Sequence, residues 1–377
     1  MKKAEDRHVE LYRIQLEHLA HKPAEYKERR EVAEQAVHDF PDLPEFHAEY
    51  AECLAWIFDY DAARVEMRDA LSIFAEVQQS GHPGAVGMFT PQSCVWAQGR
   101  LELWQQIQAH MQEITISACV IVKNEAPRIG AWLKNVREYA DEIVVVDTGS
   151  RDETKSVVKR AMAGIRKPSL KIRSFPWDDN FSAPRNFALD IAGGSWVVFL
   201  DADERIAEPE RIRGMLAEID VERPQVEAVM TLLVNIDTDQ EDCELQRGVN
   251  VRLFRRMAEL RYAGRVHETL QKPSGRLETA RELERLTVYH TGYSAARLEK
   301  KIRRNLALLK QEILEGGEKP RHAYYLANCY FVLQDYEKAL YYAEKAMGSP
   351  VQFIGLENEA SKWAEISREK LKNKKRE

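Results

Sequence analysis

Residues 113–294 alternate short apolar, β-rich segments with helical segments, and no other feature of the sequence constrains the fold as strongly. Strands that alternate with helices form right-handed crossovers, which build a mostly parallel sheet. The predicted strands cover 114–122, 142–146, 170–175, 195–200 and 227–236, and the predicted helices between the early strands cover 127–140, 152–164 and 183–192. The sequence therefore predicts an α/β domain. After residue 225 the less regular pattern indicates antiparallel strands.

Both flanks of this segment have helical periodicity. We therefore expect three domains: an N-terminal α-helical domain at 1–112, the α/β domain at 113–294 and a C-terminal α-helical domain at 295–377. Two Pro and two Gly residues in 82–93 predict a loop within the first domain.

The two helical flanks share a residue spacing. It consists of Asp59, Tyr60, Ala63 and Ala70 in the N-terminal flank and of Asp335, Tyr336, Ala339 and Ala346 in the C-terminal flank. The C-terminal copy, which ends at Pro350, resembles the tetratricopeptide repeat pattern, and generic packing of helical hairpins is the alternative. Stacked hairpins leave a concave face that binds peptides or a second subunit. We therefore expect a protein partner, or a homodimer through one flank.

Composition and charge exclude several classes of protein. The formal net charge of −6 lacks the basic surplus of a nucleic-acid binder. No apolar run approaches the roughly 20 residues of a membrane-spanning helix, and the N-terminus lacks the apolar region of a secretory signal. The five cysteines include no C-x-x-C pair, so neither a disulfide framework nor a zinc knuckle is expected. These features predict a cytoplasmic protein.

The strongest chemical motif follows the strand predicted at 195–200. Asp201, Ala202 and Asp203 come directly after this apolar segment. Ligands of open α/β sheets bind beyond the carboxyl ends of strands. Two carboxylates on such a turn can hold a divalent cation and the phosphates that it bridges, because Mg²⁺ and Mn²⁺ prefer oxygen ligands. A helix N-cap after the strand is the alternative interpretation.

Two further strand ends carry polar side chains. Asp147 ends the second predicted strand and Gly149 forms the tight turn after it. A carboxylate in this place can accept hydrogen bonds from a ribose or a base, although a purely structural strand–turn–cap unit remains the alternative. The first strand is followed by Lys123, Asn124 and Glu125.

Polar residues also occupy the opening turn of the helix predicted at 183–192. They are Ser182, Arg185 and Asn186. The planar guanidinium of Arg185 is suited to bind a phosphate. A surface ion pair of Arg185 with Asp178 or Asp179 is the alternative.

Together these segments resemble the family-2 glycosyltransferases with the GT-A, Rossmann-like fold. The resemblance extends over 114–293 and runs through the patterns V-K-N-E, D-E-I-V-V-V-D-T-G-S, F-S-x-x-R-N and W-V-x-F-L-D-A-D-E. The chain looks most like the branch that contains lipopolysaccharide-core β-glucosyltransferases and peptide S-glycosyltransferases. The resemblance implies a nucleotide-sugar donor, with UDP as the expected nucleotide, and Mg²⁺ or Mn²⁺ as the cofactor.

The resemblance also assigns roles to individual residues. It implies that Asp147 contacts the uracil or ribose, and that Asp201 and Asp203 hold the metal ion on the diphosphate. The remaining nucleotide-sugar-binding residues that it implies are Lys123, Asn124, Glu125, Gly149, Ser182, Arg185, Asn186, Ala202 and Arg252.

Two later segments resemble the family's G-x-V-H-E and H-x-x-Y patterns. In the first, Glu268 is the leading candidate for the base that activates the acceptor, and His267 is the second. In the other segment, which ends at Tyr293, His290 is a candidate third metal ligand or phosphate contact. Both histidines have the alternative of being packed residues without a chemical role.

The implied activity is a metal-dependent transfer of a sugar from a nucleotide-sugar, with inversion. The helical flanks favour a protein or peptide acceptor, and a lipopolysaccharide-core or lipid-linked sugar is the alternative. A nucleotidyltransferase would also use paired carboxylates, but segment 122–128 has no glycine for a phosphate loop. A non-catalytic repeat scaffold with a sugar-binding domain would not explain carboxylates at several strand ends.

Overall fold

A computed structural model describes residues 2–22, 25–80, 88–237, 243–292, 295–349 and 358–374. The chain has a mixed α/β architecture, in which helices precede and follow the sheet-forming segment in the sequence. This confirms the predicted fold class. Half of the loop predicted at 82–93, together with Tyr293 and Pro350, lies outside these ranges. The last three residues of the predicted loop, 91–93, instead form the start of a helix, whose first turn is capped by Thr90. Within them, no helix is both long enough and apolar enough to cross a bilayer.

The chain divides into two compact units. The first consists of Met1–Ile114 and Glu210–Pro224, and the second of Thr115–Pro209 and Gln225–Glu377. The second unit thus contains both the sheet and the C-terminal helices. Independent folding of three domains stays a prediction.

The described residues of the first unit form helices and their connections, with no strand among them. Its helices are α1 (Lys2–Ala20), α2 (Tyr26–Asp39), α3 (Pro44–Trp56), α4 (Tyr60–Ser80), α5 (Pro91–Glu113) and α9 (Ile212–Glu222). Small residues such as Ala36 and Ala63 are fully buried, so the helices can approach closely. Gly214 does the same for α9, because a Cβ atom there would lie 2.5 Å from the Cβ of Phe58.

The second unit is built on a nine-stranded sheet. Its strands are β1 (Ile116–Val122), β2 (Glu142–Asp147), β3 (Ser169–Ser174), β4 (Trp196–Phe199), β5 (Glu204–Ile206), β6 (Ala228–Asp237), β7 (Cys243–Arg255), β10 (Thr279–Arg281) and β11 (Thr287–His290). The order is β3-β2-β1-β4-β7-β6-β11-β5, with β10 also beside β6. A separate hairpin joins β8 (Arg261–Ala263) to β9 (Thr269–Gln271), and the crossover helices are α6 (Ile129–Val136), α7 (Thr154–Ala161) and α8 (Ser182–Ile191).

The first four strands of this sheet are parallel and lie side by side. Val122 at the end of β1 is in register with Asp147 at the end of β2. On the other side of β1, the N–H of Leu200 just after β4 donates to the carbonyl of Cys119 at 3.2 Å. The carboxyl ends of three neighbouring strands therefore lie at one edge of the sheet, as expected for parallel strands.

The antiparallel strand β7 lies between β4 and β6, as the irregular pattern after residue 225 indicated. Beyond it, β11 pairs with β6 and with β5, and its last residue His290 is in register with Asn235 and with Glu204. This pairing brings the end of β11 beside the turn that follows β4.

The C-terminal helices are α10 (Ala295–Gly316), α11 (Pro320–Val332), α12 (Tyr336–Met347) and α13 (Glu359–Lys374). Asp335 accepts a hydrogen bond from the N–H of Lys338 at 3.3 Å and thereby caps α12. In the first unit Asp59 accepts from the N–H of Ala62 at 3.2 Å, at the start of α4. The spacing shared by the two flanks therefore marks an aspartate at the start of the second helix of a hairpin.

A pair of adjacent glycines before β4 provides a matched test of the packing. A Cβ atom on Gly194 would lie 2.6 Å from the backbone nitrogen of Ser117, whereas on Gly193 the nearest atom is a carboxylate oxygen of Glu142 at 3.6 Å. We predict that Gly194→Ala lowers the free energy of unfolding by about 1–3 kcal/mol, as overpacking does. Gly193→Ala should change it by less than about 0.5 kcal/mol. Urea denaturation measures both, and equal stability of the two variants would contradict the packing.

Candidate active site

The loops after β1 and β2 are tied together by hydrogen bonds. The N–H of Asn124 donates to Ser150 Oγ at 2.9 Å, and its side-chain oxygen accepts from the N–H of Arg151 at 2.8 Å. The N–H of Glu125 donates to Thr154 Oγ1 at 2.8 Å. Gly149 has a φ of +103°, which suits glycine in the tight turn. Asn124 and Gly149 therefore shape these loops.

Asp147 lies at the bottom of these loops with 1% of its surface exposed. Its Oδ1 accepts from the N–H of Ser150 at 3.1 Å, and its Oδ2 lies 3.2 Å from the ammonium of Lys155. Burial by itself would raise the pKa of Asp147, but the hydrogen bonds from Ser150 and Lys155 outweigh it, and the pKa is lowered. Asp147 is therefore an ionised hydrogen-bond acceptor at neutral pH.

An aromatic group stands beside the first loop. The ammonium of Lys123 lies 5.6 Å from the ring centroid of Trp177, which makes an edge contact with Phe181 at 4.8 Å between centroids. The indole N–H of Trp177 donates to Asp179 at 2.8 Å. Lys123 is thus placed at a ring rather than at a carboxylate.

Arg185 on α8 is a buried cation of the site, with 4% of its surface exposed. Its Nη2 donates to Asp201 Oδ1 at 2.6 Å and its Nε donates to Glu268 Oε1 at 2.5 Å. The guanidinium also lies 4.6 Å from the ring centroid of Phe199 and 5.3 Å from that of Tyr262. Arg185 therefore joins the turn after β4 to the segment that carries the candidate base.

The alternative of an Arg185 ion pair with Asp178 or Asp179 is wrong. The partners of Arg185 are 16 and 83 residues away in sequence, so neighbouring sequence positions do not reveal them. The burial of its guanidinium follows from the aromatic rings around it.

A second arginine holds the other side of Asp201. Arg252 Nη2 lies 3.5 Å from Asp201 Oδ2 and donates to Glu204 Oε1 at 2.5 Å. Burial would raise the pKa of Asp201, but the charges of Arg185 and Arg252 outweigh it and hold the pKa below its usual range. Burial and the charge of Asp201 together raise the pKa of Glu204. Sequence reasoning missed Glu204, whose only signal was its place directly after the D-A-D pattern.

Two nitrogen atoms of this network lack a hydrogen-bond partner within the residues that the structure describes. They are the Nη1 of Arg185 and the Nε of Arg252, and both are buried. A buried donor without an acceptor is unfavourable by roughly 1–3 kcal/mol, more for a charged group. These nitrogens are therefore available to an anionic ligand.

Asp203 and His290 face each other across the turn after β4. Asp203 Oδ2 lies 3.4 Å from His290 Nε2, and His290 Nδ1 lies 2.9 Å from Asn235 Oδ1. Burial would raise the pKa of Asp203, but the hydrogen bond with His290 outweighs it, and the pKa is lowered. A Cβ atom on Gly292 would overlap the carboxylate of Asp203, so a larger residue there would displace this carboxylate.

The three predicted metal ligands are not equivalent. Among the described residues, one trio of His, Cys, Asp or Glu has all its ligand atoms within 4.8 Å of one another, and it is His47, Glu66 and Asp69. Asp201 differs from the other two candidates because each of its carboxylate oxygens pairs with an arginine. Asp203 and His290 do fit a divalent cation. In the tautomer in which His290 Nδ1 donates to Asn235, Nε2 does not carry the proton of its hydrogen bond with Asp203, and a cation between these two atoms would take the place of that proton.

The two base candidates have different surroundings. The ring of His267 stacks on Tyr325 with 4.0 Å between centroids, and its Nε2 lies 3.5 Å from the amide nitrogen of Asn305. Burial, together with repulsion from Lys301, lowers the pKa of His267 to about 4. His267 is therefore neutral and only weakly basic at pH 7. Glu268 is a mostly buried carboxylate with one oxygen on Arg185, and it is the stronger of the two candidates.

Two predicted binding residues on α8, Ser182 and Asn186, serve the local structure, and a third, Ala202, lies in the turn after β4. Ser182 Oγ donates to the carbonyl of Gly264 at 2.6 Å. Asn186 donates to the carbonyl of Tyr262 at 2.9 Å and accepts from the N–H of the same residue at 2.8 Å. Ala202 is buried between the two aspartates of the turn. The two polar side chains therefore fasten α8 to β8 and the loop after it.

Comparison with known protein families identifies this segment. Residues 117–297, which include every strand end described above, match the family model for glycosyl transferase family 2. The chain carries a family-2 glycosyltransferase domain. The candidate active site lies within this glycosyltransferase domain. Helix α10 begins within the last residues of the domain, and α11–α13 lie after its end.

Curated relatives match the glycosyltransferase domain and part of its flanks. The SPbeta prophage-derived glycosyltransferase SunS of Bacillus subtilis is 26% identical over 243 residues, which cover 63% of this chain and 54% of that protein. A TPR repeat-containing protein of Synechococcus elongatus is 31% identical over 192 residues, which cover 49% of this chain and 44% of that protein. The chain thus spans about half the length of these relatives.

A solved structure is also similar to the chain. The mannosyltransferase PcManGT from Pyrobaculum calidifontis, in complex with GDP-Man and Mn²⁺, is 15% identical with a TM-score of 0.39. The alignment covers 71% of this chain and 91% of that protein.

A cleft of about 520 Å³ lies between α6 and the turn after β4 in the glycosyltransferase domain. Its walls include Arg128, Asn135 and Thr291, and it shares Ala202 and Asp203 with the predicted site. The cleft therefore leads to the carboxylate that faces His290.

Arg185 offers a test of the buried network. We predict that Arg185→Gln lowers the free energy of unfolding by roughly 3–5 kcal/mol, because it leaves Asp201 and Glu268 without their buried partner. The control is Arg261→Gln. Arg261 is the exposed partner of Asp190, which lies on the same helix as Arg185, and its loss should change the free energy of unfolding by less than about 1 kcal/mol. Thermal and urea denaturation measure both variants. Similar losses in the two would contradict the role of the Arg185 network.

Proposed function

We propose that this chain transfers a sugar from a nucleotide-sugar to a protein or peptide acceptor in a metal-dependent, inverting reaction. The observation that carries the proposal is the meeting of Asp147, Asp201 and Asp203 at one edge of the sheet of a family-2 glycosyltransferase domain. Buried arginine nitrogens without partners among the described residues lie at the same edge.

The donor occupies the ends of β1, β2 and β4 in this proposal. Asp147, held ionised by Ser150 and Lys155, accepts hydrogen bonds from the uracil or the ribose of a UDP-sugar. The unpartnered nitrogens of Arg185 and Arg252 donate to the diphosphate, whose negative charge offsets their burial.

The proposed metal ligands are Asp203 and His290, with Mg²⁺ or Mn²⁺ as the ion. A bound ion would supply Lewis-acid stabilisation of the leaving diphosphate. Asn235 orients the imidazole through Nδ1, and Gly292 leaves room for the carboxylate of Asp203. Asp201 contributes indirectly, because it holds Arg185 and Arg252 in place.

Glu268 is the proposed base. It removes the proton from the acceptor hydroxyl or thiol while the acceptor atom bonds to the anomeric carbon, and the bond to the diphosphate oxygen breaks with its electron pair on the leaving group. Attack from the side opposite the diphosphate inverts the anomeric centre. Arg185 holds Glu268 through one oxygen, so the other oxygen is the one that accepts the proton.

The helical hairpins are the proposed acceptor surface. Tetratricopeptide-like hairpins α3–α4 and α11–α12 each begin their second helix with a capping aspartate, and stacked hairpins of this kind present concave faces to peptides. A cytoplasmic reaction and a homodimer through one hairpin region belong to the same proposal.

Binding of UDP tests the donor site directly. We predict that UDP with MnCl₂ raises the melting temperature of the chain, since a ligand at about 100 times its Kd stabilises the native state by about 2.7 kcal/mol. EDTA should remove the metal-dependent part of the shift. Asp203→Asn should lose the same part, whereas the exposed control Asp190→Asn should keep the full shift. A full Mn²⁺-dependent shift in Asp203→Asn would contradict the metal role, and a shift with GDP but not UDP would contradict the nucleotide assignment.

A further inference from the structure

The loop 264–268, which carries Glu268, is held from the side of α8. The carbonyl of Gly264 accepts from Ser182 Oγ at 2.6 Å, and the carbonyl of Arg265 accepts from the N–H of Phe181 at 2.8 Å. These bonds fix the beginning of the loop. They leave the last residues before Glu268 to be held from elsewhere.

The C-terminal helices hold those residues. On α11, Arg321 Nη1 donates to the carbonyl of His267 at 3.2 Å and lies 3.5 Å from that of Val266, while its Nη2 pairs with Glu312 of α10. Glu312 Oε2 accepts the N–H of Arg265 at 3.0 Å. The Arg321–Glu312 ion pair thus bonds to the backbone of the loop on both sides of Val266.

Two residues of the loop, Gly264 and His267, have a positive φ, which few residue types adopt. Gly264 has a φ of +111°, and a Cβ atom there would lie 2.5 Å from Arg321 Nη2. His267 has a φ of +51°, a left-handed conformation that is unfavourable for a residue other than glycine. Such a conformation persists when the surrounding contacts enforce it. Here they are the Arg321 hydrogen bond and the stack of His267 on Tyr325.

We propose that Arg321 is a positioning residue for sugar transfer. From α11 it holds His267 in the left-handed conformation, and this conformation directs the next residue, Glu268, toward Arg185. The inference rests on the proposed role of Glu268 as the base. It makes the hairpin α10–α11 a part of the catalytic structure in addition to any role in acceptor binding.

One consequence concerns truncation at the start of α11. Removal of residues 320–377 takes away Arg321 and Tyr325 together with the repeat-like hairpin. Loss of transfer in such a truncation would therefore follow from a displaced Glu268 even if acceptor binding were intact. Point variants separate the two effects.

The kinetic test compares Arg321→Gln and Arg321→Lys with the control Arg303→Gln, an exposed arginine on α10 that pairs with Glu299. UDP release from UDP-glucose with MnCl₂ and water as acceptor gives kcat and KM. Arg321→Gln should lower kcat by about 10- to 100-fold, as small misplacements of reacting groups do, with KM within about twofold of wild type. Arg321→Lys should recover part of kcat, and Arg303→Gln should match wild type. A normal kcat in Arg321→Gln would overturn the proposal.

A double variant separates this proposal from the proposed function. If Arg321 acts through Glu268, Arg321→Gln should have little further effect on kcat in a Glu268→Gln background. Losses that multiply in the double variant would overturn the positioning role. An unchanged kcat in Glu268→Gln alone would instead overturn the assignment of the base.

Hydrogen exchange tests the same contact without an assay of activity. In the full-length chain, amides of 262–268 should exchange faster in Arg321→Gln than in wild type, while those of β1 keep their protection. Arg303→Gln should show neither change. Unchanged exchange of the loop, or equally faster exchange of β1, would overturn the positioning role.

Discussion

The rest of the site depends on the buried guanidinium of Arg185. It bonds to Asp201 after β4 and to Glu268 in a loop far away in sequence, so one side chain aligns two carboxylates that come from separate segments. Arg252 continues the network to Glu204. Buried ion pairs are favourable only when the hydrogen-bond geometry between the charged groups is maintained, because both groups have lost their water. The same geometry leaves two donors for an anionic ligand.

The C-terminal helices belong to the compact unit that contains the sheet. Glu312 and Arg321 bond to the backbone of the loop before Glu268, and Val266 is buried in an apolar cluster with residues of α10 and α11 such as Leu309. The sheet edge binds the donor in our account, and the helices complete the other wall of the site. A chain with both parts can couple acceptor recognition to the position of the base.

The parallel strands and the carboxylates at their ends could be predicted from the sequence, because apolar runs and their flanking residues are local patterns. Asp147 and Asp203 were identified in this way. The partners of Arg185 could not, because Glu268 is brought to α8 by contacts between residues that are distant in sequence, such as those of Asn186 with Tyr262. The weak basicity of His267 depends on burial and on cations from α10 and α11. No pattern in the sequence links these helices to the H-E motif.

The central claim is that Asp203 and His290 hold the metal ion while Asp201 is retained by arginines. Anomalous diffraction at the manganese absorption edge, on crystals of the full chain soaked with UDP and MnCl₂, tests it most directly. The account predicts one manganese peak bonded to Asp203 and His290, with the UDP diphosphate beside Arg185 and Arg252. A manganese ion bonded to Asp201 with Arg185 displaced, or UDP bound away from these residues, would contradict it.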